Sequence, residues 1–486
     1  MEASLLIGLI VGYFALLIAI SFISGRSDDH QAFFLGNRQS PWYAVAFGMV
    51  GASLSGVTFL SVPGLVEAGS FAYMQVVLGY VAGYLIIIRV LLPLYYRLQL
   101  TSIYSYLEGR FGRNSYITGS AFFLLSRVIG AAFRLYLIAI VLQSVIFDSL
   151  EIPFWLTVII TILLIWVYTF RSGIKTIIWT DTLQTALMLA AVFITVYMIK
   201  DQLLPEKGLI SYIKDSQYSQ VFFFSDWKAG NFFFKNFLSG MFLTIVMTGL
   251  DQDMMQKNLS CRSLGDAQKN MFWLSISLVV VNLIFLSLGA LLYDFAAAEG
   301  ISFAKADELY TAVALSGQLG NVVLILFVLG LVAAAYSSAD SALTALTTSF
   351  CVDIIGIERM EIKKSKNIRK LVHLGFSLVL FLVILIFKEM NDDSVIKELF
   401  TAAGYTYGPL LGLYAFGLYT KKKVLDKWVP LAAIAAPFLT YFIRHQAEVQ
   451  WAYKMSFEHL ILNGILMFAF LSLLSLARKN QTKLKA

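Results

Sequence analysis

Charge is what this sequence has least of. Asp, Glu, Lys and Arg together make up 14% of its 486 residues, against about 25% in ordinary soluble domains. So few charged groups cannot clothe a water-facing surface. That excludes a disordered chain, a coiled coil and a water-soluble enzyme, and it weakens a multi-domain soluble reading of the length. Cysteine is scarce too. Cys261 and Cys351 are the only two. They form no disulfide framework and no metal-ligand spacing, and both fall near cytoplasmic helix ends, where thiols stay reduced. His30, His373, His445 and His459 are scattered near segment ends. No nucleophile–base pair, metal motif or nucleotide loop is present, so no enzyme chemistry is expected.

Apolar residues are abundant, at 59% of the chain. A bilayer core takes about 20 apolar residues per helix. By that ruler the chain reads as an all-α membrane protein with about thirteen spans. The first runs from about Leu5 to Ile23. It lacks a basic start and a cleavage site, so it reads as an uncleaved helix with its N-terminus outside. Later spans start near Trp42, Phe71, Tyr116, Phe154, Ile177, Phe232, Met271, Val322, Val372, Ile396, Val429 and His459.

The net charge of +7 reads as loop bias rather than nucleic-acid binding. One set of loops holds Arg26, Arg38, Arg97, Arg110 and Arg113. The same side takes Arg171, Lys175, Lys257, Arg262 and Lys269, then the basic run from Arg359 to Lys370, Lys421 to Lys423 and the tail. Lys and Arg gather on the cytoplasmic side. The opposite loops are mixed or acidic, with Glu67, Asp148, Glu151, Asp294 and Glu299. An inner, plasma-type membrane location with a cytoplasmic C-terminus follows. The longest outer loops, about Asp201 to Asn231 and Ala296 to Leu319, are expected to carry short surface helices.

Two spans are interrupted. Phe47–Gly64 reads FGMVGASLSGVTFLSVPG. Its glycines and serines suit either close helix packing or a broken helix, which is tolerated at membrane depth only beside protein or a water-filled cavity. Met247–Lys257 reads MTGLDQDMMQK and interrupts the span from Phe232. Interrupted spans in matching places of two halves point to an inverted repeat with a midplane site. The expected organisation is residues 1–40 as an extra helix and loop, 41–200 as a first repeat and 201–231 as an outer loop. Residues 232–423 form a second repeat, and 424–486 two further helices and a tail.

Ionisable groups in a span are costly and mark function by default. The span from Val322 contains AAAYSSADSALT. Ser337, Asp340 and Ser341 share one helical face, with Ser338 one step around. Such hydroxyl and carboxylate oxygens suit a hard cation. Serines alone would read as packing residues bonded to the preceding turn; Asp340 favours the cation. Asp181 lies between Thr180 and Thr182. It is either a helix N-terminal carboxylate favoured by the dipole, or a second cation ligand or proton carrier. Arg127 and Arg134 are two turns apart on one face, deep in their span. They serve either a structural pair with Asp251 or Asp253, or recognition of an anionic or zwitterionic substrate. Gln75 and Tyr80 are candidate wall residues.

These residues resemble the sodium/solute symporter family, which includes sodium-coupled sugar, proline and sialic acid transporters. The likeness covers nearly the whole chain. It is carried by GASLSGVTFLSVPG, LTSIYSYLEGRFG, WTDTLQ, LDQDMMQKNL, AAAYSSADSALT and GYTYGPLLGLYAFGLY. It implies a leucine-transporter fold of two inverted five-helix repeats, with one helix before and two after, working by alternating access. Sodium is the implied coupling ion. Matched residue by residue, the carbonyls of Gly51 and Leu54 would face the Ala334 carbonyl and the hydroxyls of Ser337 and Ser338. A second cation site, present in some relatives, would fall on Asp181, Ser337, Asp340 and Ser341, where Asp340 replaces the usual small or hydroxyl residue. Substrate positions would include Ser53, Ser55, Thr58, Gln75, Asp251 and Tyr405. Gly130 aligns where a sialic acid transporter carries its carboxylate-binding arginine, with Arg127 and Arg134 displaced to either side.

The function expected is sodium-coupled symport of a small polar organic solute: a sugar, sialic acid, amino acid or carboxylate. Asp340 keeps a proton-coupled or mixed-ion variant open. A non-transporting sensor of the same fold is disfavoured by the short tail. The implied partners are the solute and the lipid bilayer, with no nucleic acid; the oligomeric state stays open.

Overall fold

The structure is a computed structural model that describes residues 3–23, 36–169, 174–204, 206, 208–357, 360, 362–390 and 395–485. Arg26, His30, Arg171 and Arg359, counted above among the loop and segment-end residues, lie outside these. Among the described residues the chain is helical, with one isolated bridge between Ser40 and Cys261. The long helices are α1 (Ala3–Ile23), α2 (Trp42–Gly64), α3 (Tyr73–Ile86, running on to Arg97), α4 (Arg113–Leu142) and α5 (Phe154–Thr169). Next come α6 (Ile174–Leu203), α7 (Phe233–Thr244), α8 (Gln252–Leu259), α9 (Leu264–Glu299) and α10 (Gly320–Ser349). The chain closes with α11 (Ile362–Met390), α12 (Val395–Tyr419), α13 (Val429–Trp451) and α14 (His459–Lys485).

Among the described residues, 8 helices are long and apolar enough to cross a membrane, or 9 if the bent pair α7–α8 counts as one span. The rest of the expected thirteen fall short for local reasons. The described side chains of α1 and α5 give only short apolar stretches, Ile7–Ile23 and Phe154–Trp166. Glycines, tyrosines and threonines dilute α12, and α13 carries Arg444, His445 and Glu448.

Burial sorts the helices. The apolar stretch of α2 is 89% buried and that of α11 only 17%. So α2 is the central element and α11 a lipid-facing one. The sequence explains the difference: α2 carries small residues that let neighbours approach, and α11 carries leucines that match lipid. Helices α6, α9 and α10 pack around α2, while α12 packs between α4 and α14. Helices α3 and α7 approach through glycines. A side chain at Gly79 would strike the Phe237 carbonyl, and one at Gly240 the Val76 carbonyl.

Both expected interruptions are present, each narrower than the sequence suggested. In α2 the non-helical backbone is confined to Ser55, at φ 26° and ψ 170°. That positive φ is uncommon outside glycine. The second break lies between α7 and α8, which meet at a 65° bend. It follows a π turn at Ile245–Gly249, and Asp251 opens α8 by accepting from Met254 N at 3.1 Å.

Residues of several of the basic loops named above meet at one end. There Arg110 Nη2 donates to the Thr420 carbonyl at 2.6 Å and Arg38 to Gln99 Oε1 at 2.6 Å. Cys261 is buried at this end, and burial, helped by Asp266, pushes its thiol up to about 12. The opposite loops carry short helices at Leu209–Asp215 and Leu309–Leu315, as the outer-loop lengths implied.

Candidate functional site

The two breaks face a common cavity. Its wall takes Ser53, Ser55 and Thr58 from α2, Tyr73, Tyr80 and Tyr84 from α3, and Arg127 and Arg134 from α4. Helix α7 and its π turn add Thr244 and Thr248, α9 adds Asn282, and α12 adds Phe400. The cavity measures about 90 Å³. A wider chamber of about 430 Å³ adjoins it on the acidic-loop side, sharing Tyr73, Ile396 and Phe400. On the basic-loop side, hydrogen bonds close the floor. Tyr95 donates to the Gly249 carbonyl at 2.8 Å and Tyr104 to the Leu250 carbonyl at 2.9 Å. Gln252 holds both the Thr101 carbonyl and the Ile103 amide at 2.9 Å. The cavity thus adjoins the wider chamber on the acidic-loop side and is closed by these hydrogen bonds on the basic-loop side.

The structure separates the two arginines. Arg127 is a structural partner. Its guanidinium pairs with Asp253 and lies 3.6 Å from Asp251. Asp251 also accepts from Tyr407 at 2.5 Å and caps α8. It is thus fully engaged and absent from the cavity wall. Arg134 differs. Like Arg127 it is buried, lines the cavity and has its Nε unpartnered, but among the described residues it makes no hydrogen bond or ion pair. A desolvated guanidinium in that condition is costly unless a ligand satisfies it. Asn282, also on the cavity wall, donates to the Leu278 carbonyl and leaves its own Oδ1 unpartnered.

Two other sequence candidates sit away from the cavity. Gln75 is buried and donates to the Ala72 and Asn231 carbonyls at 3.2 and 3.0 Å, which pins the outer end of α3. Tyr405 faces α13 and α14, where Arg444 donates to its hydroxyl at 3.4 Å and His459 lies against its ring. Gly130 stands on α4 with Leu399 against it.

The cation-binding candidates converge where α2, α6 and α10 meet. The Gly51 amide donates to Thr185 Oγ1 at 3.1 Å, and a side chain at Gly51 would overlap that hydroxyl. Leu54 immediately precedes the break. Ser338 Oγ donates to the Ala334 carbonyl at 3.4 Å. Ser337 Oγ donates to Asp181 Oδ1 at 2.6 Å, which turns its lone pairs away from that carboxylate. Asp340 Oδ1 accepts from the Ser341 amide at 2.5 Å.

One residue was misplaced by loop counting. Lys257 reads as a cytoplasmic-loop lysine in the sequence, yet it is 1% exposed. Its Nζ donates to Asp181 Oδ2 at 2.7 Å. The bend between α7 and α8 returns this helix to the core, and charge counting along a straight span cannot register a bend. The signal available was the same QDMMQK segment that marks the break.

A bundle in which two broken helices face one polar cavity is the architecture of a secondary transporter. Residues 33–425 match the sodium:solute symporter family, and the chain belongs to it. Its relatives include a sodium/sialic acid symporter of Aliivibrio fischeri, 23% identical over 430 residues, covering 84% of this chain and 82% of that one. Another, from Proteus mirabilis, is 23% identical over 427 residues, with 85% and 84% covered. Among solved structures, a substrate-bound, outward-open sodium-coupled sialic acid symporter shares the fold. It superposes with a TM-score of 0.81 at 18% identity, over 96% of this chain and 97% of that one. The protein is therefore a sodium-coupled symporter of a small organic solute and an integral membrane protein.

Proposed function

We propose that the transported solute carries a negative charge, a carboxylate above all, and that Arg134 is its anchor. The observation that supports this is a buried guanidinium on the cavity wall with no protein partner. Arg127 takes the contacts to Asp251 and Asp253, which leaves the Arg134 nitrogens for the ligand. Arginine suits the role because its planar fork matches a carboxylate bidentately. Ser53, Ser55, Thr58 and Asn282 would hold the solute's polar groups, and the aromatic rings of Tyr80, Tyr84 and Phe400 its apolar face. Two of the similar proteins are named for sialic acid, which is itself an acid.

Sodium, carried as cargo, would bind the Gly51, Leu54 and Ala334 carbonyls and the Ser337 and Ser338 hydroxyls. These are hard oxygen donors at the junction of α2 and α10. The non-helical Ser55 would free the carbonyls that precede it. Sodium there bridges the two helices and orders the broken segment that also forms the cavity wall. Binding then favours the outward-open state and raises solute affinity, and reciprocity requires the solute to raise sodium affinity equally. We read residues 41–200 and 232–423 as two inverted repeats of a leucine-transporter fold, with residues 1–40 and 424–486 outside them and 201–231 joining them. Helices α7 and α8 then form one broken span, the thirteenth required by an outer N-terminus and an inner C-terminus.

A thermal-shift screen of the purified protein tests the substrate reading. Sugars, sialic acids, amino acids and small carboxylates are compared in sodium and in choline. Stabilisation by carboxylates, dependent on sodium and following mass action, is the expected result. Sodium-dependent stabilisation by neutral sugars alone would overturn the anion assignment.

A further inference from the structure

The second cation position, on Asp181, Ser337, Asp340 and Ser341, already has a cation beside it. We propose that Lys257 is the resident cation of that position and that this symporter therefore binds a single sodium per cycle. The inference rests on sodium being the coupling ion and on the first sodium position lying between α2 and α10. The Lys257 ammonium stands 2.7 Å from Asp181 Oδ2, and the other oxygen of the same carboxylate accepts from Ser337 at 2.6 Å. Lysine and aspartate are each 1% exposed in their side chains. Both carboxylate oxygens are thus engaged, one by a full positive charge. A sodium ion on Asp181 would need to displace that ammonium into a core that offers it no water. Two cations against one carboxylate in a low-dielectric core repel strongly.

Two further oxygens of that position, Asp340 Oδ2 and Ser341 Oγ, are buried and make no hydrogen bond, so the claim of Lys257 rests on Asp181, the one carboxylate it occupies. Asp340 Oδ1 accepts from the Ser341 amide at 2.5 Å. A mobile ion would arrive and leave with each cycle. A tethered ammonium cannot leave, so it supplies the charge that holds α6, α8 and α10 together without being carried across. It also ties α8, the helix beyond the second break, to the helix bearing Ser337. Ser337 donates its proton to Asp181, so its oxygen is oriented for the first sodium position. Lys257 is in this sense a positioning residue for that site.

Counting sodium on the purified full-length protein tests this. The slope of thermal stabilisation against the logarithm of sodium concentration, with choline keeping ionic strength constant, reports the number of sodium ions bound. The wild type is expected to show a slope corresponding to one sodium. Lys257→Met uncovers Asp181 and is expected to raise it towards two, while Lys257→Arg keeps the charge and keeps a slope of one. The double variant Asp181→Asn/Lys257→Met removes both charges and returns the slope to one. If Lys257→Met does not fold, the wild-type slope and the double variant still decide. A wild-type slope of two, or an unchanged slope in folded Lys257→Met, would overturn the proposal. No sodium response at all in the wild type would instead overturn the coupling on which it rests.

Discussion

Arg134→Met separates binding from stability. Arg134 is 7% exposed and its Nε has no protein partner, so the ligand-free protein carries an unsatisfied buried donor. A hydrogen bond to a charged group is worth about 1.5–3 kcal/mol net, and an arginine–carboxylate fork supplies two in parallel. Allowing for cost shared between them, losing the fork should weaken carboxylate binding by about 3 kcal/mol, or roughly 100-fold at about 1.4 kcal/mol per tenfold. The same change removes an orphaned buried polar group, whose burden is about 1–3 kcal/mol. Methionine keeps the unbranched stem and fills much of the space. The ligand-free variant should therefore be as stable as the wild type or more so. The assay is a carboxylate titration in sodium, followed by thermal shift, with the melting temperature at zero ligand read from the same plates. Two results would refute the reasoning. One is a carboxylate midpoint unchanged in Arg134→Met; the other is a loss of ligand-free stability comparable with that of Arg127→Met.

Arg127→Met should behave in the opposite way, because it strands Asp251 and Asp253 in the core; removing one partner of a buried pair costs about 3–5 kcal/mol, to be read as a fall in melting temperature without ligand. Asp426 holds the Asn114 and Ser115 amides at 2.9 Å each at the start of α4, so Asp426→Ala should cost about 1 kcal/mol, as loss of a helix cap does. Burial pushes the Asp426 carboxyl up, but hydrogen bonds from Ser115 and Asn114 outweigh it and hold it below its usual value. The folded-state pKa is thus the lower one, so this contribution is fully present above about pH 4, the unfolded value, and is lost only as pH falls through the folded value. Melting curves of wild type and Asp426→Ala should accordingly stay parallel between about pH 5 and 8. One sodium carried with one monocarboxylate moves no net charge, so uptake into proteoliposomes should not respond to an imposed potassium-diffusion potential. Each uncompensated charge would feel about 2.3 kcal/mol per 100 mV, and clear acceleration by an inside-negative potential would exclude one-to-one symport of those charges.

Much of the architecture was legible in the sequence because a bilayer imposes it. Apolar run length sets span positions, so most expected starts fall within a few residues of the helices found, such as Trp42, Phe154, Val429 and His459. Loop charge sorted Arg38 and Arg110 to one end. Glycine and serine density located the first break, and Gly249 with Asp251 located the second. What composition could not do was fix the break to Ser55 alone, since helical hydrogen bonding tolerates most of the glycines around it.

The sequence by itself determined the membrane class, the two interrupted spans and the intramembrane charges other than Lys257. Those follow from the local cost of putting polar groups in hydrocarbon, which each segment bears on its own. Only the tertiary structure decided which charges face one another. It gave Arg127 to Asp251 and Asp253, left Arg134 to the cavity, and set Lys257 on Asp181 across 76 residues of chain. Pairing depends on the 65° bend between α7 and α8 and on the packing of α2 against α6 and α10. Neither is encoded in any single segment's periodicity, because both arise from how several helices share one buried volume.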